Sequence, residues 1–162
     1  MSEISVGASL PAGRLFHVGA NGPETIDIEA RTKGRKVVIF AVPGAFTGTC
    51  TTAHVPSFIR TADKFREKGV EEIICISVND PFVMKAWAEA TGGDKAGITF
   101  AGDDGSYTKA LGLSFDVPAV GLLGRSKRYA MLVEDGIVKV LHLEDNSGVC
   151  EISGGEALLA AI

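Results

Sequence analysis

Continuous apolar runs alternate along the chain with segments whose apolar residues recur at helical spacing. Residues 36–42 (KVVIFAV) form a run rich in β-branched side chains, which is typical of a strand buried on both faces. From Thr49 onward, apolar residues follow a helical repeat that stops at Lys68 and Gly69, a common C-terminal signal of helices. The pattern predicts a buried strand, a tight loop and a helix, in this order.

The next part of the chain repeats the alternation of strand and helix. Residues 72–78 (EIICISV) predict a second buried strand, and Asn79 or Asp80 can cap the helix that follows it. Residues 97–103 (GITFAGD) predict a shorter strand, which leads through a loop into a short helix near residues 107–111. Such alternation is typical of α/β proteins.

The C-terminal part predicts an antiparallel hairpin and a final helix. Two alternating apolar runs within residues 128–144 are separated by Asp135 and Gly136, a strong signal for a two-residue hairpin turn. Ser153 and Glu156 have the spacing of a capping box at the start of a terminal helix. Together these patterns predict an α/β fold with a mixed central β-sheet flanked by α-helices, and a thioredoxin-like fold is the first choice.

Composition and charge restrict the classes of partner. The 162 residues are 46% hydrophobic and 22% charged, without a linker or repeat, so we expect a single domain over residues 1–162. The net charge of -4 and the short basic cluster at residues 124–128 argue against a nucleic-acid partner. The chain lacks a secretory signal pattern and any apolar run near the ~18 residues that span a bilayer. We therefore expect a cytoplasmic protein with no membrane partner.

The three cysteines, Cys50, Cys75 and Cys150, do not have the spacing of a disulfide framework or a metal site. We therefore expect no metal and no cofactor. In a reducing compartment, a disulfide between any two of them would be catalytic or sensory.

The position of Cys50 favours a reactive thiol. If Thr47 or Thr49 caps the helix, Cys50 lies in the first turn, where unpaired N–H groups and the helix dipole stabilise a thiolate. Lowering the pKa of a thiol from about 8.5 to about 6 requires roughly 3.4 kcal/mol. A helix terminus typically supplies about 0.3 to 1 kcal/mol and at most about 2 kcal/mol. A further donor and a cation are required, for which we expect the Thr47 hydroxyl and Arg128, which opens an apolar strand.

Other functions are compatible with parts of this region. His54 shares a helix face with Cys50 and could act as a base, but no triad partner or oxyanion motif is evident nearby, so a structural role is favoured. A general disulfide oxidoreductase needs Cys-x-x-Cys, whereas Thr47 occupies the position of the first thiol. A redox sensor that passes the oxidation of Cys50 to a partner, without efficient turnover, is the alternative to an enzyme.

Pro43, Thr47 and Cys50 form a P-x3-T-x2-C frame in PGAFTGTC, and the chain continues with SVNDPFVMKAW and RSKRYAMLVEDGIVK. Through these segments the chain resembles the type II, or atypical two-cysteine, peroxiredoxins over nearly its whole length. The resemblance implies a thioredoxin-like fold and reduction of hydrogen peroxide and organic hydroperoxides by a cysteine thiolate. It implies that Cys50 is the peroxidatic cysteine, that Thr47 orients the peroxide, that Pro43 shields the thiolate and that Arg128 is the cation. One departure is Gly48, where members of the family commonly have proline.

The resemblance leaves the resolving thiol open. Cys150, in a polar loop, resembles the resolving cysteine of animal-type members, and we expect it to take that role. Cys75 matches the second cysteine of plant-type members, but its position in a buried strand favours an inert thiol. In the third route, glutathione or glutaredoxin reduces Cys50 directly. The resemblance also implies glutaredoxin with glutathione, or thioredoxin, as the reductant, and a homodimer.

Overall fold

The computed structural model describes residues 3–162, and these form nine β-strands and five α-helices. The strands are β1 (Arg14–Gly19), β2 (Gly22–Asp27), β3 (Lys36–Ala41), β4 (Glu72–Ser77), β5 (Thr99–Gly102), β6 (Ser114–Val117), β7 (Leu122–Ser126), β8 (Tyr129–Glu134) and β9 (Ile137–Leu143). The helices are α1 (Ile28–Thr32), α2 (Val55–Glu67), α3 (Pro81–Thr91), α4 (Ser106–Ala110) and α5 (Gly155–Ala160).

Seven strands form one mixed sheet in the order β2-β1-β5-β4-β3-β8-β9, and β6 pairs with β7 in a separate hairpin. Strand β4 runs parallel to both β3 and β5, whereas the other pairs of this sheet are antiparallel. One apolar cluster lies between the sheet and helices α2, α3 and α5, and a second covers the opposite face with α1 and α4. Because both faces are covered, β3 and β4 are continuous apolar runs. The predicted α/β class and mixed sheet are confirmed.

Two local predictions are confirmed in detail. The carboxylate of Asp80 accepts a hydrogen bond from the backbone N–H of Val83 at 2.8 Å and caps helix α3. Asp135 and Gly136 have φ angles of 50° and 74°, as a type I′ turn between β8 and β9 requires. Both features depend on residues adjacent in sequence, which explains why the pattern alone predicts them.

The predicted capping box of the terminal helix is wrong. Helix α5 begins after Gly154, which makes no side-chain cap hydrogen bond. The Ser153 hydroxyl donates to the carboxylate of Glu144 at 2.7 Å, and Glu156 forms an ion pair with Arg60 at 3.0 Å. The helix itself is present, but a carboxylate distant in sequence and a neighbouring helix take the two side chains that would have formed the box.

The hairpins β1–β2 and β6–β7 were not predicted, although β1 and β2 form one edge of the sheet. No helix within residues 3–162 is long and apolar enough to cross a membrane. In the same part of the chain, no group of three or more His, Cys, Asp or Glu side chains is arranged to hold a metal ion.

Candidate active site

The loop after β3 is held in place by contacts from the loop after β4 and from strand β7. The backbone N–H of Ala45 donates to Asn79 Oδ1 at 3.0 Å, and Arg125 donates to the carbonyl of the buried Pro43 at 3.3 Å. Phe46 has a φ of 63° and an exposed fraction of 56%. A left-handed conformation is costly for an aromatic residue and is found where the surroundings enforce it, often at functional sites. The conformation of this loop is therefore determined by contacts with the rest of the fold.

A π-helical turn, Cys50–His54, connects this loop to α2. Thr49 makes no side-chain cap hydrogen bond, and the hydroxyl of Thr47 lies 2.7 Å from the carbonyl of Gly44 and 2.9 Å from the sulfur of Cys50. Cys50 therefore begins the turn without a side-chain cap from Thr49. Single π-helical turns of this kind are frequent at functional sites.

The sulfur of Cys50 is fully buried and has two polar partners. Arg128 donates from its Nη2 to the sulfur at 3.1 Å, and the hydroxyl of Thr47 lies 2.9 Å from it. Arg128 is only 2% exposed, and no carboxylate within residues 3–162 forms an ion pair with it. A buried guanidinium needs a compensating negative charge. The sulfur of Cys50 is in direct contact with this guanidinium.

His54 connects Arg128 to the segment before α5. Its Nδ1 lies 3.0 Å from Nη1 of Arg128, and its Nε2 lies 2.9 Å from the carbonyl oxygen of Ser153. A guanidinium only donates and a carbonyl only accepts, so Nδ1 accepts and Nε2–H donates. Burial and the charge of Arg128 lower the pKa of His54 to about 3, although the carbonyl of Ser153 opposes the shift. His54 is a neutral structural residue, and its Nδ1 is not available as a base for Cys50.

A segment near the C-terminus packs against the same site. The carbonyl of Ser147 accepts from Nε of Arg128 at 3.0 Å, and the Ser147 hydroxyl accepts from the Arg128 backbone N–H at 3.1 Å. The hydroxyl of Thr49 donates to the carbonyl of Gly148 at 2.8 Å. Ser147 and Gly148 could not be predicted from the sequence, because backbone carbonyls carry no sequence signal for such contacts.

An open cavity of about 450 Å³ lies against Pro43, Thr47 and Arg128. The remaining lining residues come from the two positions before the π-helical turn, the β6–β7 hairpin and the segment after β9: Gly48, Thr49, Phe115, Val117, Leu122, Asn146, Ser147 and Gly148. Because Thr47 and Arg128 contact both this cavity and the sulfur of Cys50, a small molecule in the cavity would meet the two groups that surround the thiol.

The other two cysteines lie in different surroundings. Cys150 is half-buried, its sulfur lies 3.8 Å from the hydroxyl of Ser153, and burial raises its pKa despite opposing effects of Ser153 and Arg128. Cys75 is fully buried in β4, where burial first and then the charge of Cys50 raise its pKa well above the usual range. The structure thus brings Pro43, Thr47, Cys50 and Arg128 together, places Cys150 beside the segment that contacts them and leaves Cys75 in the core.

Comparison with known proteins identifies the family of this chain. The model of the Redoxin family matches residues 5–159. Peroxiredoxin-2C of Oryza sativa is 44% identical over 163 aligned positions, which cover all of both chains. The chain belongs to the type II peroxiredoxins. Peroxiredoxin-2B of Arabidopsis thaliana is likewise similar to this peroxiredoxin, with 42% identity over the full length of both chains.

Solved structures show the same fold as this peroxiredoxin. Reduced Prx3 from Vibrio vulnificus, in complex with hydrogen peroxide, superposes with a TM-score of 0.92, 44% identity and coverage of 98% of each chain. Peroxiredoxin 5 from Alvinella pompejana superposes with a TM-score of 0.82 and 34% identity, over 98% of this chain and 97% of the other. The thioredoxin-like fold expected from the sequence is confirmed.

Proposed function

We propose that this peroxiredoxin is a thiol-dependent peroxidase in which Cys50 reduces hydrogen peroxide and organic hydroperoxides to water and alcohols. One observation carries the assignment: the buried sulfur of Cys50 contacts a guanidinium that has no carboxylate partner within residues 3–162. A thiolate is the nucleophilic form of cysteine, and an adjacent cation favours it. The open cavity beside Thr47 and Arg128 is where we place the peroxide.

The first step is attack of the Cys50 thiolate on one peroxide oxygen. A sulfur–oxygen bond forms while the oxygen–oxygen bond breaks, and the released oxygen takes a proton from solvent and leaves as water or alcohol. Arg128 stabilises the negative charge as it moves from sulfur to the leaving oxygen. Thr47 can accept the peroxide proton as a hydrogen bond while its own hydroxyl donates to Gly44, 2.7 Å away. Buried Pro43 shields the thiolate from water, and Cys50 is left as sulfenic acid.

For the second step, we assign resolution to Cys150. Its thiol attacks the sulfenic sulfur of Cys50, a disulfide forms, and the hydroxyl leaves as water. Support comes from the contacts that hold residues 147–148 on the active site and from the partial exposure of Cys150. Cys75 is the weaker candidate because it is fully buried and its pKa is raised. Glutaredoxin with glutathione, or thioredoxin, would then reduce the disulfide.

Product mapping tests both steps. The reduced protein is treated with one equivalent of hydrogen peroxide and analysed by mass spectrometry, with Cys150→Ser and Cys75→Ser as matched variants. We expect a disulfide between Cys50 and Cys150 in the wild type and in Cys75→Ser, and a Cys50 sulfenic acid in Cys150→Ser. If the wild type also stops at the sulfenic acid and pairs only with added glutathione, resolution is external.

Turnover separates the enzyme from the sensor. With dithiothreitol as reductant, a peroxidase consumes many equivalents of peroxide, and Cys50→Ser abolishes this consumption. Oxidation of the wild type that stops after one equivalent, in the presence of the reductant, would instead favour a peroxide-sensing relay.

We also propose a homodimer formed through the face that carries the active-site loop. Five large apolar side chains within residues 3–162 are exposed by more than half: Val6, Phe46, Phe82, Val120 and Leu123. The segments that carry Phe46, Phe82 and Leu123 are in contact: Ala45 donates to Asn79, which lies just before α3, and Arg125 of β7 donates to Pro43. Exposed apolar side chains grouped in this way favour a protein interface. Light scattering should give the mass of a dimer for the wild type and of a monomer for Phe46→Asp; a monomeric wild type would refute the dimer.

A cytoplasmic location stays a prediction, which cell fractionation can test.

A further inference from the structure

The carboxylate of Glu144 lies at a site that the reaction outlined above does not use. Glu144 follows β9 and is 5% exposed. Its Oε2 accepts hydrogen bonds from the N–H groups of Glu151, Ile152 and Ser153 at 2.8, 2.9 and 2.8 Å, and from the Ser153 hydroxyl at 2.7 Å. Consecutive backbone N–H groups that converge on one oxygen form an anion-binding nest. No basic side chain within residues 3–162 forms an ion pair with Glu144. Its carboxylate therefore shapes the backbone.

The backbone that Glu144 shapes ends in the carbonyl that holds His54. Ser153 donates to Glu144 through its N–H and its hydroxyl, and its carbonyl oxygen accepts from Nε2–H of His54 at 2.9 Å. Because Nε2 carries the proton, Nδ1 presents its lone pair to Nη1 of Arg128 at 3.0 Å. Arg128 then reaches the sulfur of Cys50 with Nη2 at 3.1 Å. One continuous chain of hydrogen bonds joins Glu144 to the sulfur.

His54 is one of three groups within residues 3–162 that orient the guanidinium of Arg128. Apart from His54 and Cys50, its guanidinium donates to the carbonyl of Ser147. If the proton of His54 were on Nδ1, it would point at a guanidinium and repel it. The carbonyl of Ser153 prevents this by requiring a proton on Nε2, and the position of that carbonyl is set by Glu144.

We propose that Glu144 is a positioning residue for peroxide reduction, which orients Arg128 on the sulfur of Cys50 through Ser153 and His54. The proposal rests on the assignment of Cys50 as the reacting thiol. This role also gives a reason for the buried carboxylate of Glu144 beside α5. The Ser153 hydroxyl donates to Glu144 and does not form the predicted capping box with Glu156.

Two substitutions of Glu144 and one matched control test this role. The measurement is the second-order rate constant for oxidation of Cys50 by hydrogen peroxide in a single turnover, together with the melting temperature. We expect Glu144→Ala to lower the rate constant by about tenfold or more, because a misplaced catalytic group is costly. Glu144→Gln should recover most of the rate, since an amide oxygen can take the place of Oε2.

The control is Glu72→Ala. Glu72 is also a shielded carboxylate, with Arg35 at 3.0 Å and the hydroxyl of Thr99 at 2.7 Å, but these partners lie outside the active site. We expect Glu72→Ala to lower the melting temperature and leave the rate constant unchanged. If Glu72→Ala slows the reaction as much as Glu144→Ala does, the effect of Glu144 is general destabilisation and the proposal is wrong.

A second route keeps the test open if Glu144→Ala folds poorly. His54 packs against Phe40 and Phe58, so His54→Phe retains an aromatic ring and removes both ring nitrogens. We expect His54→Phe to slow the oxidation of Cys50. Ser153→Ala, which removes the hydroxyl that donates to Glu144, should slow the oxidation on its own and add no further loss to His54→Phe, because both act through one chain of contacts. Independent, additive losses would overturn the proposal.

The proposed function and the positioning role fail in different ways. A wild type whose Cys50 does not react with peroxide refutes the proposed function, and the role of Glu144 with it. A reactive wild type accompanied by an equally reactive Glu144→Ala refutes only the positioning role.

Discussion

Cys50 and Cys75 are equally buried, yet their surroundings are opposite. Both are 0% exposed and belong to the apolar cluster beneath α2, α3 and α5. Cys50 contacts Arg128 and Thr47, whereas Cys75 lies on the central strand β4, where burial raises its pKa well above the usual range. Burial alone makes a thiol inert, and a buried cation with a hydroxyl beside it favours the reactive form.

The two cysteines also differ in the backbone that carries them. Cys75 is paired with Phe40 of β3 on one side and with Phe100 of β5 on the other. Cys50 begins a single π-helical turn after an irregular loop. A central strand is among the last parts of a protein to open, whereas a short turn can open locally. Cys50 therefore combines a sulfur in contact with a guanidinium with a backbone that lies outside the central strands.

The largest expected effect is the difference in peroxide turnover between a variant that lacks the sulfur of Cys50 and one that lacks the sulfur of Cys75. Cys50→Ser should lower peroxide turnover by several orders of magnitude, because the nucleophile is lost. Cys75→Ala should keep the wild-type rate and lose about 1 kcal/mol of stability through the small cavity. Peroxide consumption with dithiothreitol and urea unfolding measure the two effects. Loss of turnover in Cys75→Ala would show that the thiol of Cys75 takes part in the reaction.

The next largest effect concerns the cation. Arg128→Met keeps the length of the side chain but removes its charge, and should slow the oxidation of Cys50 by about 10² or more. Arg125→Met is the matched control, because Arg125 contacts the carbonyl of Pro43 at 3.3 Å and has no contact with the sulfur. Rapid-mixing measurements of Cys50 oxidation compare the two variants. Equal rates for both would assign the activation of Cys50 to something other than direct contact with a guanidinium.

A smaller effect is expected in the pH dependence of stability. The pKa of His54 is lowered from 6.5 to about 3, so below pH 6.5 the unfolded chain binds a proton that the folded chain does not. The free energy of unfolding should therefore fall as the pH decreases from 6.5 towards 3, by up to about 1.4 kcal/mol per pH unit. Urea unfolding at about pH 7, about pH 6 and about pH 5 measures this slope of the free energy of unfolding against pH.

The matched variants for this slope are His54→Phe and Cys75→Ala. His54→Phe removes the titrating group and should flatten the slope, whereas Cys75→Ala leaves the surroundings of Cys50 intact and should retain it. An unchanged slope in His54→Phe would mean that another group controls acid stability.

The smallest expected effect tests the mobility of the turn. Gly48 is exposed, and an added Cβ meets no atom within 4 Å. Gly48→Pro should stabilise the folded turn by about 0.4 to 1 kcal/mol, since proline restricts the unfolded chain and suits the first turn of a helix. Hydrogen exchange should slow by about two- to fivefold in the turn that carries Cys50 and stay unchanged in β4 around Cys75. Faster exchange in the turn would show that glycine is required there.

Interactions between near neighbours could be predicted from the sequence. The apolar runs of β3 and β4, the Asp80 cap and the turn at Asp135 and Gly136 are all found in the structure. Each depends on a local repeat or on backbone geometry within a few residues, where physical preferences act without the rest of the fold.

Interactions of polar side chains could not be predicted in the same way. The hydroxyl of Ser153 suits a helix cap by spacing, yet it is directed towards the carboxylate of Glu144. A hydroxyl takes the best partner that the whole fold offers, and that partner can lie far away in sequence. The same reason explains why the roles of Ser147 and Glu144 became visible only in three dimensions.

The sequence by itself determined the α/β class, the strand and loop that lead to Cys50, and the need for a cation to stabilise its thiolate. Only the tertiary structure decided that Arg128 lies 3.1 Å from the sulfur, that His54 is a neutral partner of Arg128, and that Glu144 anchors the segment after Cys150. Apolar periodicity is a local property of the chain, so the sequence contains it directly. Charge and hydrogen-bond partners depend on distances across the fold, which no local pattern contains.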